Sequence, residues 1–329
     1  MKRTIKPLLG AAALLSAAVL RSGAAPSSDE LMRRALKDES RTYAGELAYT
    51  QWGDGRVRAE EARIYVAAPG IYRFEYLSPA GAVQRVILGR GADEIVFFPR
   101  QGKAWRGPAR RPPAADKSDR AFARLSKNYR VSTPVDDDIA GRPAWAITLT
   151  PVDAGKPHQT LWFDQATGVL LASRRFLPGT PYAASVRFVR FDPDVDFEDG
   201  FFEMDSGAVK RTDDHGWAGR PGPTDPPPPA KAELPFGFAL ENRGQFEVQG
   251  ETVTHLSYSD GLAVVSVFET RHPVRVPSGA EAPPPNAGPR LLNVSIPARV
   301  VHGRRDGVYL TVIGDDTAEL LNELWRRFP

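Results

Sequence analysis

Past residue 26 the spacing of apolar positions changes more than once. Leu31, Met32, Ala35 and Leu36 form one stripe at helical spacing, and Ser27 with Glu30 has the spacing of a capping box. A short helix is predicted there. The period then falls to two: Tyr72, Phe74 and Tyr76 alternate with Arg73 and Glu75, and Trp145, Ile147 and Leu149 alternate with Ala144, Ala146 and Thr148. Strands are predicted near 44–51, 57–67, 71–77, 83–89, 94–98, 143–150, 159–164, 168–176 and 184–191, with turns such as Ala80-Gly81 and Thr167-Gly168 between them. Connections this short make neighbouring strands antiparallel. One helical stretch interrupts them near Lys117–Lys127, with Phe122 and Leu125 on one side. The expected architecture is α+β: a large curved antiparallel sheet, an open barrel, covered by helices.

Residues 221–235 contain seven prolines, including Pro226-Pro227-Pro228-Pro229. Such a run neither pairs into a sheet nor continues a helix, and reads as an extended spacer. The chain therefore divides into a first domain over 25–215, a Pro-rich linker over 216–233 and a second domain over 234–329. In the second domain Phe236–Leu240 leads into strands predicted near 245–249, 252–258, 262–269, 291–296, 299–304 and 307–313. A final helix over Thr317–Phe328 carries Leu320, Leu321, Leu324 and Trp325 on one stripe, with Asp315 or Asp316 as the expected N-cap. This is a small α+β domain with an antiparallel sheet and a C-terminal helix.

The first 24 residues have a different character. Lys2, Arg3 and Lys6 precede an apolar run from Pro7 to Leu20, and Ser22-Gly23-Ala24 places small residues before Ala25. The pattern is that of a secretory signal peptide cleaved near Ala24, and the run is too short for a membrane span. Cleavage removes four of the 43 basic residues and none of the 40 acidic ones, taking the formal charge from +3 to −1. Nothing global then argues for nucleic acid. The absence of cysteine excludes disulfides, thiolate nucleophiles and cysteine-ligated metals.

Catalytic chemistry leaves no trace in the motifs. There is no G-x-S-x-G, H-E-x-x-H, P-loop or G-x-G-x-x-G, and His158, His215, His255, His272 and His302 show no ligand spacing. No catalytic residue, cofactor or metal is expected, and the protein is read as not an enzyme; a hydrolase with dispersed catalytic residues is the contrary case. Asp192, Asp194, Asp196 and Glu203 fall at positions 1, 3, 5 and 12 of a calcium-loop register, but Phe197 stands where glycine is needed and Pro193 intrudes. This run and Asp136-Asp137-Asp138 read as solvated strand ends. Asn293-Val294-Ser295 matches a glycosylation sequon on a predicted strand.

The large side chains of the first domain suggest a cavity. Tyr72, Phe74, Tyr76, Trp145, Ile147, Leu149 and Phe163 would line a concave sheet face, with Leu31, Leu36, Phe122 and Leu125 on the covering helices. For each aromatic taken singly a packed core is the simpler account.

The second domain carries motifs. Leu234-Pro235-Phe236-Gly237-Phe238 is followed by His255-Leu256-Ser257-Tyr258-Ser259-Asp260-Gly261-Leu262, with Ala298-Arg299-Val300-Val301 and Val308–Gly314 later. In order and type these resemble the C-terminal domain of the MucB/RseB family of periplasmic sigma-factor regulators. Tyr43-Ala44-Gly45, Tyr72–Tyr76, Trp162-Phe163-Asp164 and Thr167-Gly168-Val169-Leu170 resemble the fold of the lipoprotein carriers LolA and LolB, which is also that of the family's N-terminal domain. The resemblance implies a periplasmic binding protein whose partner is the extracytoplasmic segment of a membrane-bound anti-sigma factor. That segment would be shielded from proteolysis and released when acyl chains of lipopolysaccharide or lipoprotein enter the first domain. A lipoprotein or lipid carrier of the LolA type is the alternative, and oligomeric state stays open, a homo-oligomer included. Tyr258, Asp260 and Leu262 carry over from the motif as partner-binding residues, and Arg304 and Arg305 are added as contacts for an acidic partner segment. Independently of family, Ser259-Asp260-Gly261 is a turn, so these residues have an architectural reading too.

Overall fold

A computed structural model describes residues 25–36, 41–53, 55–68, 71–91, 93–108, 118–181, 183–204, 233–248, 250–272, 299–314 and 317–328. The expected signal peptide, nearly all of the Pro-rich linker, the strand predicted at 291–296 and its sequon lie outside these residues.

Alternating side chains over 43–108 produce six strands, each turning back on the one before: β1 (Tyr43–Gly53), β2 (Arg56–Ala68), β3 (Ile71–Leu77), β4 (Val83–Arg90), β5 (Asp93–Phe98) and β6 (Lys103–Pro108). After a helix come β7 (Tyr129–Val131), β8 (Val135–Ile139), β9 (Arg142–Pro151), β10 (His158–Asp164), β11 (Leu170–Phe176) and β12 (Ala183–Asp192). The spatial order is β6-β5-β4-β3-β2-β1-β12-β11-β10-β9-β7, with β8 also on β9, and every pairing is antiparallel. Two meanders are thus joined where β12 returns beside β1. The sheet is open, as expected. Register sets its core: Ile64, Phe74, Ile87 and Val96 face one another across β2 to β5, and all are buried.

The helices α1 (Ser28–Leu36) and α2 (Ser118–Asn128) lie where the stripes predict. Ser27 caps α1 by accepting the Glu30 N–H at 3.2 Å, while the Glu30 carboxylate turns to Arg34 instead of closing the box. Leu31, Phe122 and Leu125 pack onto Ile147, Leu149, Leu161 and Phe163. The short strands β6, β7 and β8 were not expected, since β8 reads Val-Asp-Asp-Asp-Ile and β7 has three residues. The acidic run on β8 is exposed, yet Asp137 accepts from the Trp162 indole at 2.7 Å and Asp136 from Gln165 at 2.8 Å.

The second sheet comprises β13 (Ala239–Val248), β14 (Glu251–Ser259), β15 (Val264–Thr270), β16 (Arg299–Arg305) and β17 (Val308–Gly314), in the order β13-β14-β15-β17-β16. Helix α3 (Ala318–Arg327) covers one face, where Leu320, Leu321 and Leu324 meet Leu256, Tyr258, Val265, Val267, Leu310 and Val312. Its N-cap is Thr317, whose hydroxyl accepts the Leu320 N–H, in place of the expected aspartates at 315 and 316, which lie outside the described residues.

Candidate functional site

The two sheets meet at a small, fully buried polar junction, built on the second domain's side from two short segments. The first is Leu234–Phe238. Proline opens a 3₁₀ turn over Pro235–Gly237, and Phe236 and Gly237 adopt left-handed φ angles of 65° and 75°. The Phe236 carbonyl accepts from the Lys156 ammonium, and the Gly237 carbonyl accepts from the Asn128 amide at 3.2 Å. A Cβ at Gly237 would sit 1.8 Å from Asn128 Oδ1, so the approach needs glycine.

The second segment is the turn after β14, Ser259–Leu262. Oδ1 of Asp260 accepts the N–H groups of Leu262 and Ala263 at 2.9 and 2.7 Å, which fixes the turn locally. Its Oδ2 reaches across to the first domain and accepts from the Tyr129 hydroxyl at 2.8 Å and Lys156 Nζ at 2.7 Å. The Asp260 backbone carbonyl accepts from Asn128 Nδ2 at 2.8 Å. Gly261 has φ of 101°, and a Cβ there would lie 2.5 Å from the Leu125 nitrogen. Leu262 enters the cluster formed by Leu31, Phe122, Leu125 and Phe163. At the rim Arg124 pairs with Glu241 at 2.8 Å.

Lys156 and Asp260 are both fully buried. Charges removed from water lose several kcal/mol of solvation each, on the order of what their attraction returns. Such a pair persists only when its remaining bonding capacity is met. Here the carboxylate has four donors, and the ammonium lies 4.7 Å from the Phe238 ring centroid and 5.7 Å from that of Tyr129. The net stabilisation of such a pair is small but its geometry is specific: a docked arrangement that misaligned the two would leave a charge buried without its partner.

This corrects the assignment of Tyr258, Asp260 and Leu262 to a partner surface. All three are buried within the chain itself. Tyr258 meets the Phe328 ring edge-on at 6.1 Å, and burial pushes its hydroxyl up to about 12. Arg305 is half-buried, and its guanidinium donates to the carbonyls of Trp325 and Arg326, closing the C-terminus of α3. Arg304 is exposed, with its guanidinium 5.8 Å from the Tyr309 ring centroid.

The predicted cavity residues do not gather around one space. Tyr72, Phe74 and Tyr76 belong to a core that runs from β1–β5 to β11 and β12, whereas Trp145, Ile147, Leu149, Phe163, Leu31, Leu36, Phe122 and Leu125 pack together beneath α1 and α2. A crevice of about 410 Å³ lies where α1 begins and α2 ends, lined by Ser27, Ser28, Asp29, Ser126, Tyr129 and Val131. Among the described residues no group of His, Asp and Glu has the arrangement of a metal site, including the register at 192–203. Sequence reasoning missed Lys156, Asn128 and Tyr129; Lys156 sits in an Ala-Gly-Lys-Pro turn that carries no local mark of its role.

Fold and junction together define a class: a large open antiparallel sheet under two helices, with a second, helix-backed sheet pinned to one of them. Residues 29–190 match the model of the MucB/RseB N-terminal domain, and the chain belongs to the MucB/RseB family. Solved structures agree over both domains. MucB in complex with MucA(peri) is 20% identical, with a TM-score of 0.56 over 91% of this chain and 97% of that one. The Pseudomonas aeruginosa MucA/MucB complex is 19% identical, with a TM-score of 0.58 over 90% and 96%. A further MucB crystal structure is 20% identical, with a TM-score of 0.50 over 90% and 95%. At these identities the likeness is one of fold. No curated protein matches the sequence.

Proposed function

We propose that this protein is a periplasmic negative regulator of an extracytoplasmic-function sigma factor. It binds the periplasmic segment of a membrane-bound anti-sigma factor, shields that segment from proteolysis, and releases it when lipid acyl chains bind the first domain. The observation that carries this reading is the fold match over nine-tenths of both chains to MucB in complex with the periplasmic part of MucA. Family membership supports it, and so does the N-terminal basic and apolar pattern of an exported protein. Among the described residues no helix is long and apolar enough to cross a membrane.

Release by lipid is a linkage effect: the ligand must favour the partner-free form. Burial of apolar surface at about 25 cal/mol per Å² makes one acyl chain a sufficient source of that bias. The test is capture of the tagged mature protein from gently solubilised membranes, with and without lipopolysaccharide. A single-span anti-sigma factor that co-purifies and is lost on adding lipid is the expected result. A spread of lipoproteins in its place overturns the reading and favours a carrier.

A further inference from the structure

We propose that α2 couples the helix-covered core of the first domain to the placement of the second domain, with Asn128 and Tyr129 carrying its movement to the Asp260–Lys156 pair. The inference rests on the reading that acyl chains enter the first domain, and adds how their entry is transmitted.

The helix has two working sides. Phe122 and Leu125 face the sheet and pack against α1 residue Leu31 and against Ile147, Leu149 and Phe163. The backbone of the same helix, at Ala121 O and Leu125 N, lies against Gly261 of the second domain. Arg124 reaches Glu241, and Asn128 holds the carbonyls of Gly237 and Asp260. Tyr129, the next residue, lines the crevice between the helices and bonds the Asp260 carboxylate. Eleven residues of α-helix, about 16 Å long, move as one element.

The core beneath α1 and α2 is filled by its own side chains: Leu31, Leu125, Leu161 and Phe163 have no exposure. Interiors of this kind do not admit a chain without displacement. An acyl chain that parts the helices therefore shifts α2. The bonds from Asn128 and Tyr129 stand at 2.8 Å, and a shift of an ångström takes them beyond hydrogen-bonding range. Lys156 and Asp260 then lose their enclosure and are better solvated apart. A buried pair whose net stabilisation is small suits a two-state junction, because a modest bias moves it.

Coupling is reciprocal, so loosening the junction must tighten lipid binding by the factor with which lipid loosens the junction. The chain has no cysteine, so spin labels at Arg174→Cys on β11 and Val300→Cys on β16 report the domain separation without background. Purified lipopolysaccharide is the probe, and its affinity is measured alongside. The expected result is a changed distance distribution on adding lipopolysaccharide. Asp260→Ala should show the same change without lipid, and bind lipopolysaccharide at least about fivefold tighter. If lipopolysaccharide binds while the distances stay fixed and Asp260→Ala leaves its affinity unaltered, α2 coupling is wrong and the lipid reading stands. If lipopolysaccharide does not bind, the lipid reading fails and the coupling is decided by the ligand-free distances of Leu125→Ala. A shift like that of Asp260→Ala supports coupling, and an unshifted distribution overturns it. Phe122→Leu, which keeps an apolar side chain on the helix, replaces Leu125→Ala should that variant not fold.

Discussion

Removing the Asp260 side chain isolates the effect of a fully buried ion pair. Asp260→Ala takes away four hydrogen bonds and leaves the Lys156 ammonium enclosed with a carbonyl and two ring faces. Deleting one member of a buried ion pair costs about 3–5 kcal/mol. The protein has an escape, however: separating the domains returns Lys156 to water. The observable loss is therefore capped by the free energy that holds the domains together, and appears as undocking with both cores intact. Hydrogen exchange separates the cases. Amides of the 259–263 turn and α2 should exchange faster, while those of β3, β4, β14 and β17 keep their protection. Lys156→Met should cost less, because Asp260 then keeps Tyr129 and two backbone donors. In the Asp260→Ala background the same change should restore docking, since no charge is left to strand. The reasoning is refuted if Asp260→Ala leaves amide exchange in the 259–263 turn and α2 unchanged, or if the double variant is no better docked than the single.

The remaining expectations concern single contacts. Gly261→Ala drives a Cβ into the α2 backbone and should lower the thermal midpoint well below that of Gly307→Ala, whose Cβ meets nothing within 4 Å and which bears only backbone strain of about 1 kcal/mol. Burial of Asp164 opposes its charge, but hydrogen bonds from Arg142 at 2.7 and 3.0 Å and from Thr167 outweigh this and hold the carboxyl below its usual 3.8. The unfolded chain takes up the proton first, so this stabilisation is complete above the unfolded value and is lost as pH falls through the lower folded one. Urea midpoints from pH 7 to 2 should flatten in Asp164→Asn at the acid end, and an unchanged slope would contradict the assignment. Arg305→Ala should fray the end of α3, seen as faster amide exchange near residue 326, whereas Arg304→Ala leaves stability within about 0.5 kcal/mol of the parent.

Much of the architecture was legible along the chain. Alternation located the long strands of both sheets, β13 (Ala239–Val248) only in its second half, and helical stripes placed α1, α2 and α3, because each pattern is a local consequence of backbone geometry meeting water on one side. The turn at Ser259-Asp260-Gly261 was legible too, since its Asx bonds and positive φ involve only neighbours in sequence. Tertiary structure decided what the turn is for. Lys156 and Asp260 are 104 residues apart, and no local pattern links a lysine in one loop to an aspartate in another. The same limit explains the cavity residues: alternation says that Tyr72 and Ile147 are each buried on one face, but not that separate clusters take them. It explains Arg305, whose acceptors belong to a helix twenty residues downstream. Periodicity reports that a side chain leaves water, whereas its partner is settled by the packing of segments distant in the chain. The motif that looked like a surface became the joint between two domains for that reason.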